Sequence, residues 1–164
     1  MALAAITFSD TILALHIAAV MVAFGVTFSY PLLFAYATRQ EPRHLPAFWR
    51  AVALIGQRIV APGTGVVLAA GIYLATDEHQ WSKFYVGWGL AAAIVLGAIG
   101  GAFFTPLERR LAAAAERDIA SAGDGAVTLG GEYQQLFRRW YIGGITSWVL
   151  VLVTIFLMAN HVGS

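Results

Sequence analysis

The side chains best suited to bind a ligand in this chain are histidines. His16 lies in the first apolar run, His79 follows Asp77 and Glu78 in a short polar segment, and His161 closes the last apolar run. Neutral imidazole is the commonest metal ligand in proteins. Ionisable groups inside apolar segments mark functional sites by default. The chain has no cysteine, which excludes disulfides, thiolate metal sites and a cysteine nucleophile.

The composition indicates what kind of protein carries these histidines. Of the 164 residues, 59% are hydrophobic and only 12% are charged, whereas soluble domains carry about 25% charged residues. The mean hydropathy is +0.72. This leaves too little polar surface to cover a soluble domain, so the composition predicts an integral membrane protein. The net charge of +1 excludes the basic surface that nucleic-acid binding requires.

Four apolar segments approach the length of about 20 residues that crosses a bilayer. They run over about 11–37, 59–75, 84–104 and 141–159. With short connections between consecutive spans, we expect one integral membrane domain over residues 1–164. Its fold class is all-α, a transmembrane four-helix bundle with up-down-up-down topology. The longest polar connection, about 106–139, is predicted to form a cytoplasmic loop.

The basic residues predict the orientation of the bundle. Nine of the ten fall in the first and third connections and their flanks, and only Lys83 lies in the second. Loops rich in Lys and Arg stay in the cytoplasm. We therefore expect a protein of the bacterial cytoplasmic (inner) membrane with both termini outside. Trp49 and Trp140 fall where an inner aromatic belt is expected.

This topology brings distant histidines to one membrane face. His16, His79 and His161 all fall on the outer side of the predicted bundle. Two histidines from facing helices, His16 and His161, would hold the iron of haem b axially, and Met158 offers a softer alternative ligand. Three histidines, or histidine with Asp77 or another carboxylate, would instead hold copper or zinc.

Each candidate also has an ordinary structural explanation. His16 would hydrogen-bond a Ser or Thr of a neighbouring span, and His79 would be a loop residue. His161 would be solvated near the C-terminus. Met158 belongs to a heptad-spaced seam that favours packing. Arg58, at the inner end of the second span, would extend to the headgroups or bind a lipid phosphate or a propionate-like carboxylate. The seam consists of Gly144, Ser147, Val151, Thr154, Met158 and His161.

Two segments carry a family resemblance. Residues 15–36 read LHIAAVMVAFGVTFSYPLLFAY and residues 58–71 read RIVAPGTGVVLAAG. The first resembles the first helix of the HemJ-type protoporphyrinogen oxidases and of the CopD copper-resistance family, and the second resembles their Arg-x-x-x-Pro helix. The resemblance implies a membrane helical bundle in which His16 matches the haem-linked histidine. With its Pro106–Arg110 segment, the whole chain also resembles a family of uncharacterised four-span bacterial membrane proteins.

Four functions remain open at this point, of which a transporter is the least favoured because the spans contain no carboxylate for a proton relay. The first is a small membrane protein that binds haem b for electron transfer or haem handling, using His16, His161, Arg58 and Met158. The second is metal handling of the CopD kind through His16, His79 and His161. The third is an accessory subunit without a cofactor, in a homo-oligomer or a larger membrane complex. The expected partner in every case is the lipid bilayer, with no nucleic acid. The sequence shows no catalytic constellation, so any enzyme activity would be that of a haem-dependent membrane oxidoreductase.

Overall fold

The structure is a computed structural model that describes residues 6–40 and 42–163. Its described part is built from helices joined by short connections. The helices are α1 (Phe8–Gly25), α2 (Tyr30–Gln40), α3 (Leu45–Ile55), α4 (Ala61–Asp77), α5 (Phe84–Ile99), α6 (Thr105–Ala122) and α7 (Gly131–Ala159).

These segments combine into four long helices. They run over Phe8–Arg39, Pro42–Asp77, Phe84–Ala122 and Gly131–Ala159, and each is long and apolar enough to cross a membrane. The all-α four-helix prediction is therefore confirmed. All four extend beyond the predicted apolar spans. The third is the longest, with 39 residues, and would be about 58 Å long.

Contacts between helix ends confirm the alternating topology. Ser9, at the start of α1, donates a hydrogen bond to Asp77 at the end of α4. His161, just after α7, packs its ring against Tyr85 near the start of α5. These four ends define the base-poor end of the bundle. The opposite end carries all nine arginines and is called the arginine-rich end below.

Three of the long helices change their winding immediately before a proline. A 3₁₀ turn (Val26–Ser29) precedes Pro31, and π turns (Gly56–Val60 and Gly100–Phe104) precede Pro62 and Pro106. Proline has no N–H to donate, and its ring clashes with the carbonyl four residues earlier. A local change of winding relieves this clash, so the prolines explain where each helix departs from α geometry.

Ordinary capping signals set other helix ends. Thr7 and Asp10 form a capping box at the start of α1, with each side chain bonded to the other residue's backbone N–H. At the far end of α6, Gly123 has φ +55°. This left-handed conformation is favourable for glycine and ends the helix. The first half of the predicted loop 106–139 is thus helical, since α6 covers it.

The arginine-rich end has a core of large side chains. The ring of Phe34 stacks on that of Trp49 with centroids 3.8 Å apart, and Trp140 meets both rings edge-on. Trp49 is 0% exposed and Trp140 is 4% exposed. The prediction that these two tryptophans form a lipid-facing belt is therefore wrong, because both indoles are enclosed by protein. Leucines of α3 and α6, Leu45 and Leu111, complete this core.

Within the apolar half of the bundle the contacts involve small residues instead. The buried positions there include Ala19, Ala23, Thr64, Ala70 and Ala92. Lipid provides no hydrophobic drive between helices, so close backbone approach and van der Waals packing must hold them together. A Cβ built on Gly63 would lie 2.8 Å from the Cβ of Ala23, which shows how closely α1 and α4 approach.

The predicted seam of α7 faces α5. Thr154 accepts a hydrogen bond of 3.0 Å from the indole N–H of Trp88. A Cβ built on Gly89 would lie 2.6 Å from the Cε of Met158, so that thioether fills the space above the glycine. Val151 is buried, and His161 contacts Tyr85. The packing interpretation of this stripe accounts for these four positions.

The close contact at Gly63 leads to a first prediction. Gly63→Ala should lower the stability of the bundle by about 1–3 kcal/mol, because its methyl group has no room against α1. Gly65→Ala is the matched control on the same helix, since nothing lies within 4 Å of a Cβ at that position. Thermal unfolding of the detergent-solubilised protein, followed by circular dichroism, compares the two. Equal midpoints for the two variants would contradict the packing described here.

Candidate functional site

His16 lies between two spans rather than at the bundle surface. It is half-buried on α1, two turns inside the start of the helix, and therefore about 12 Å from the base-poor end. Its Nδ1 lies 3.0 Å from the backbone carbonyl oxygen of Val67 on α4. The hydrogen-bond partner of His16 is therefore a main-chain oxygen rather than the predicted Ser or Thr. A carbonyl oxygen in a helix has a second lone pair that can accept this additional hydrogen bond.

This contact fixes the tautomer of the His16 ring. A carbonyl oxygen can only accept a hydrogen bond. Nδ1 must therefore carry a hydrogen and donate a hydrogen bond to the Val67 oxygen. In the neutral ring, Nε2 then carries the lone pair. Gly71 lies beside the same ring, and a Cβ built on it would be 3.3 Å from the His16 Cε1. The absence of a side chain at Gly71 thus gives the imidazole room against α4.

His79 and His161 occupy equivalent backbone positions after two helices. They have φ of +55° and +49°, and each is the first residue past a helix cap. The N–H of the next residue, Gln80 or Val162, bonds back to the carbonyl of Ala75 or Leu157. This is the Schellman arrangement, in which glycine is the usual left-handed residue and other residues are far less common.

The three candidate histidines therefore lie in different settings. His16 bonds to α4, His79 bonds its Nδ1 to the carbonyl of Asp77, and His161 packs on Tyr85 of α5. Across residues 6–40 and 42–163, no group of three or more His, Asp or Glu is arranged to hold a metal ion. Metal binding by His16, His79 and His161 stays a prediction that would need these residues to move together.

Arg58 lies far from His16. It is exposed on the π turn at the arginine-rich end, thirteen residues before Gly71 on the same long helix. That separation is about 20 Å along the axis. The two residues thus belong to opposite halves of the bundle, and a carboxylate bound by Arg58 would lie near the bilayer surface.

The helix-capping geometry generates a prediction. His79→Gly should raise stability by about 1 kcal/mol because it removes the cost of a left-handed non-glycine residue. His79→Val should lower stability by a similar amount, because a β-branched side chain is poorly tolerated there. Thermal unfolding of the two variants and the wild type provides the ranking. An equal effect of Gly and Val would show that the cap does not contribute to stability.

A second cluster of polar groups is enclosed at the arginine-rich end. Glu108 on α6 is only 6% exposed and accepts a 3.2 Å hydrogen bond from the indole N–H of Trp140. The indole of Trp49 donates to the hydroxyl of Tyr133 at 3.2 Å. The hydroxyl of Tyr30 is buried and has no hydrogen-bond partner in the described part of the chain. These five residues form the Glu108 cluster.

The sequence contains a spacing pattern that indicates burial of Glu108, although the charged residues around it conceal this pattern. In the helix after the third span, Leu111, Ala112 and Ala115 follow Glu108 at spacings of three, four and seven residues. This spacing places all four on one face, and that face is buried in the structure. The surrounding charges (Arg109, Arg110, Glu116, Arg117 and Asp118) suggest a solvated helix and hide this pattern.

The helices and their apolar surfaces define a four-span integral membrane protein. The chain belongs to the family described as "Predicted integral membrane protein (DUF2269)", whose sequence model matches residues 10–161. No curated protein and no solved structure matches it.

Proposed function

We propose that this membrane protein binds haem b, with Nε2 of His16 as an axial ligand. The observation that supports this assignment is the 3.0 Å contact between Nδ1 of His16 and the carbonyl of Val67. Ligating histidines almost always donate their second ring N–H to such an acceptor, which fixes the tautomer and the ring orientation. The resemblance of residues 15–36 to haem-linked helices supports the same assignment.

The residues around His16 fit this role. Val67 holds the ring in the tautomer that presents a lone pair on Nε2. Gly71 leaves space beside the ring, which a methyl group would partly fill. The surrounding spans are apolar, and the imidazole is half-buried between them. When bound, haem would supply a one-electron couple suited to electron transfer.

His161 is the candidate for the second axial position. It lies at the same base-poor end, and its ring contacts Tyr85. Its left-handed backbone offers an informative substitution, because His161→Gly removes the ring while retaining the helix cap. Met158 is less suited to ligation, since its thioether packs over Gly89.

Absorption spectroscopy tests the proposal. The purified protein, reconstituted with haem in mild detergent, should show a Soret band and sharp α and β bands on reduction. His16→Ala should abolish these bands. Gly71→Ala should weaken haem affinity by about tenfold or more, since it displaces the ring from its carbonyl partner. Gly65→Ala, with open space at its Cβ, is the matched control and should bind as the wild type does.

Two results would overturn the assignment. One is the lack of a Soret band in a folded, reconstituted wild-type protein. The other is an unchanged spectrum in His16→Ala. Metal analysis of the same samples tests the metal-handling alternative. Stoichiometric copper or zinc in the wild type, with a lower content in both His16→Ala and His79→Gly, would indicate metal handling. A folded protein with neither haem nor metal would favour the accessory role.

A further inference from the structure

A cavity of about 220 Å³ opens beside the Glu108 cluster. It lies between α3 with its following π turn and α6, at the arginine-rich end of the bundle. Trp49 and Glu108 form part of its wall, together with Leu54, Gln57, Arg50 and Arg109. The His16 region lies in the other half of the molecule, so this cavity is independent of the proposed haem ligand.

Glu108 gives the cavity a buried carboxyl group. One oxygen, Oε1, accepts from Trp140. The other, Oε2, has no hydrogen-bond partner among the residues that the structure describes. A single hydrogen bond satisfies a largely buried carboxylate only in part, and a ligand with N–H donors would stabilise its second oxygen. The base of the cavity therefore favours a cationic group that donates hydrogen bonds.

The rim of the cavity has the opposite charge. Arg50 is ion-paired with Glu116, whereas Arg109 has no ion-pair partner within the described ranges. A guanidinium group binds phosphate oxygens in a bidentate geometry. The exposed Gln57 amide adds a further donor, and the exposed Leu54 adds an apolar edge. The rim therefore suits a phosphate group that is attached to an apolar chain.

The height of the cavity identifies the source of such a molecule. Glu108 lies four residues beyond Phe104, the last residue of the apolar stretch, and therefore about 6 Å past it. The headgroup layer on each side of a bilayer is about 5–8 Å thick. The cavity is thus level with lipid headgroups rather than with bulk water.

We infer that this cavity binds the headgroup of an amine-bearing phospholipid such as phosphatidylethanolamine. The primary ammonium donates to Oε2 of Glu108, and the phosphate bonds to the guanidinium of Arg109. The trimethylammonium of phosphatidylcholine has no N–H to donate, and phosphatidylglycerol has no cation. The carboxyl group at the base thus selects for the amine, and the arginine at the rim binds the phosphate.

Native mass spectrometry of delipidated protein in mixed micelles tests this inference. Phosphatidylethanolamine should bind at least about tenfold more tightly than phosphatidylcholine or phosphatidylglycerol, because neither of these lipids makes the charge-assisted hydrogen bond to Glu108. Glu108→Gln should remove this preference, and Glu132→Gln, whose side chain pairs with Arg117 outside the cavity wall, should retain it. Glycerophosphoethanolamine, which has the headgroup but no acyl chains, should compete weakly. Equal competition by this soluble compound would show that the ligand is a free phosphoamine rather than a lipid and would overturn the assignment.

A second pair of variants tests the proposed phosphate contact independently of Glu108. Arg109→Gln should weaken phosphatidylethanolamine binding, whereas Arg110→Gln, outside the cavity wall, should leave it unchanged. Circular dichroism confirms that each variant is folded. Equal affinity for the three lipids, or equal behaviour of the Arg109 and Arg110 variants, would overturn the inference. Neither outcome depends on whether His16 binds haem.

Discussion

The stack of Phe34 on Trp49 joins the first two long helices at the arginine-rich end, and much of the molecule is arranged around it. Trp140 of α7 closes one side of the stack, and leucines of α3 and α6 surround it. Trp49, Leu111 and Trp140 lie beyond the predicted apolar spans, and Phe34 lies near the end of the first one. Contact with water at this level would favour burial of such large side chains. All four long helices contribute to this core.

The apolar half of the bundle follows a different rule because its solvent is lipid. Leucine, isoleucine and phenylalanine are exposed there on α1 and α7. Most buried positions there are alanine, glycine or threonine, although Val67 and Val151 are buried too. Gly63 against Ala23 and Gly89 beneath Met158 show the resulting close approach. The single imidazole in this setting, His16, is accommodated because Gly71 lacks a side chain and Val67 supplies an acceptor.

The sequence predicts the general architecture well, since apolar runs of membrane length and clustered arginines determine the number and alternation of the spans. It also predicts the seam at Thr154 and Met158 from heptad spacing. It does not predict the settings of the histidines. The left-handed caps at His79 and His161 depend on how each chain leaves its helix, and the acceptor of His16 is a main-chain atom that no residue type reveals. Glu108 was obscured for a further reason, because its charge suggested solvent while its spacing placed it on the buried face.

The concentration of large side chains at one end has a mechanical consequence. Interlocked aromatic rings resist the sliding of one helix along another, whereas helix surfaces of alanine and glycine allow small displacements. We therefore expect any relative motion of the four long helices to be smallest at the Phe34–Trp49 stack and to increase with distance from it. His16 lies eighteen residues from Phe34 along the same helix, about 27 Å away. The largest displacement between α1 and α4 is therefore expected near His16, where the imidazole contacts α4.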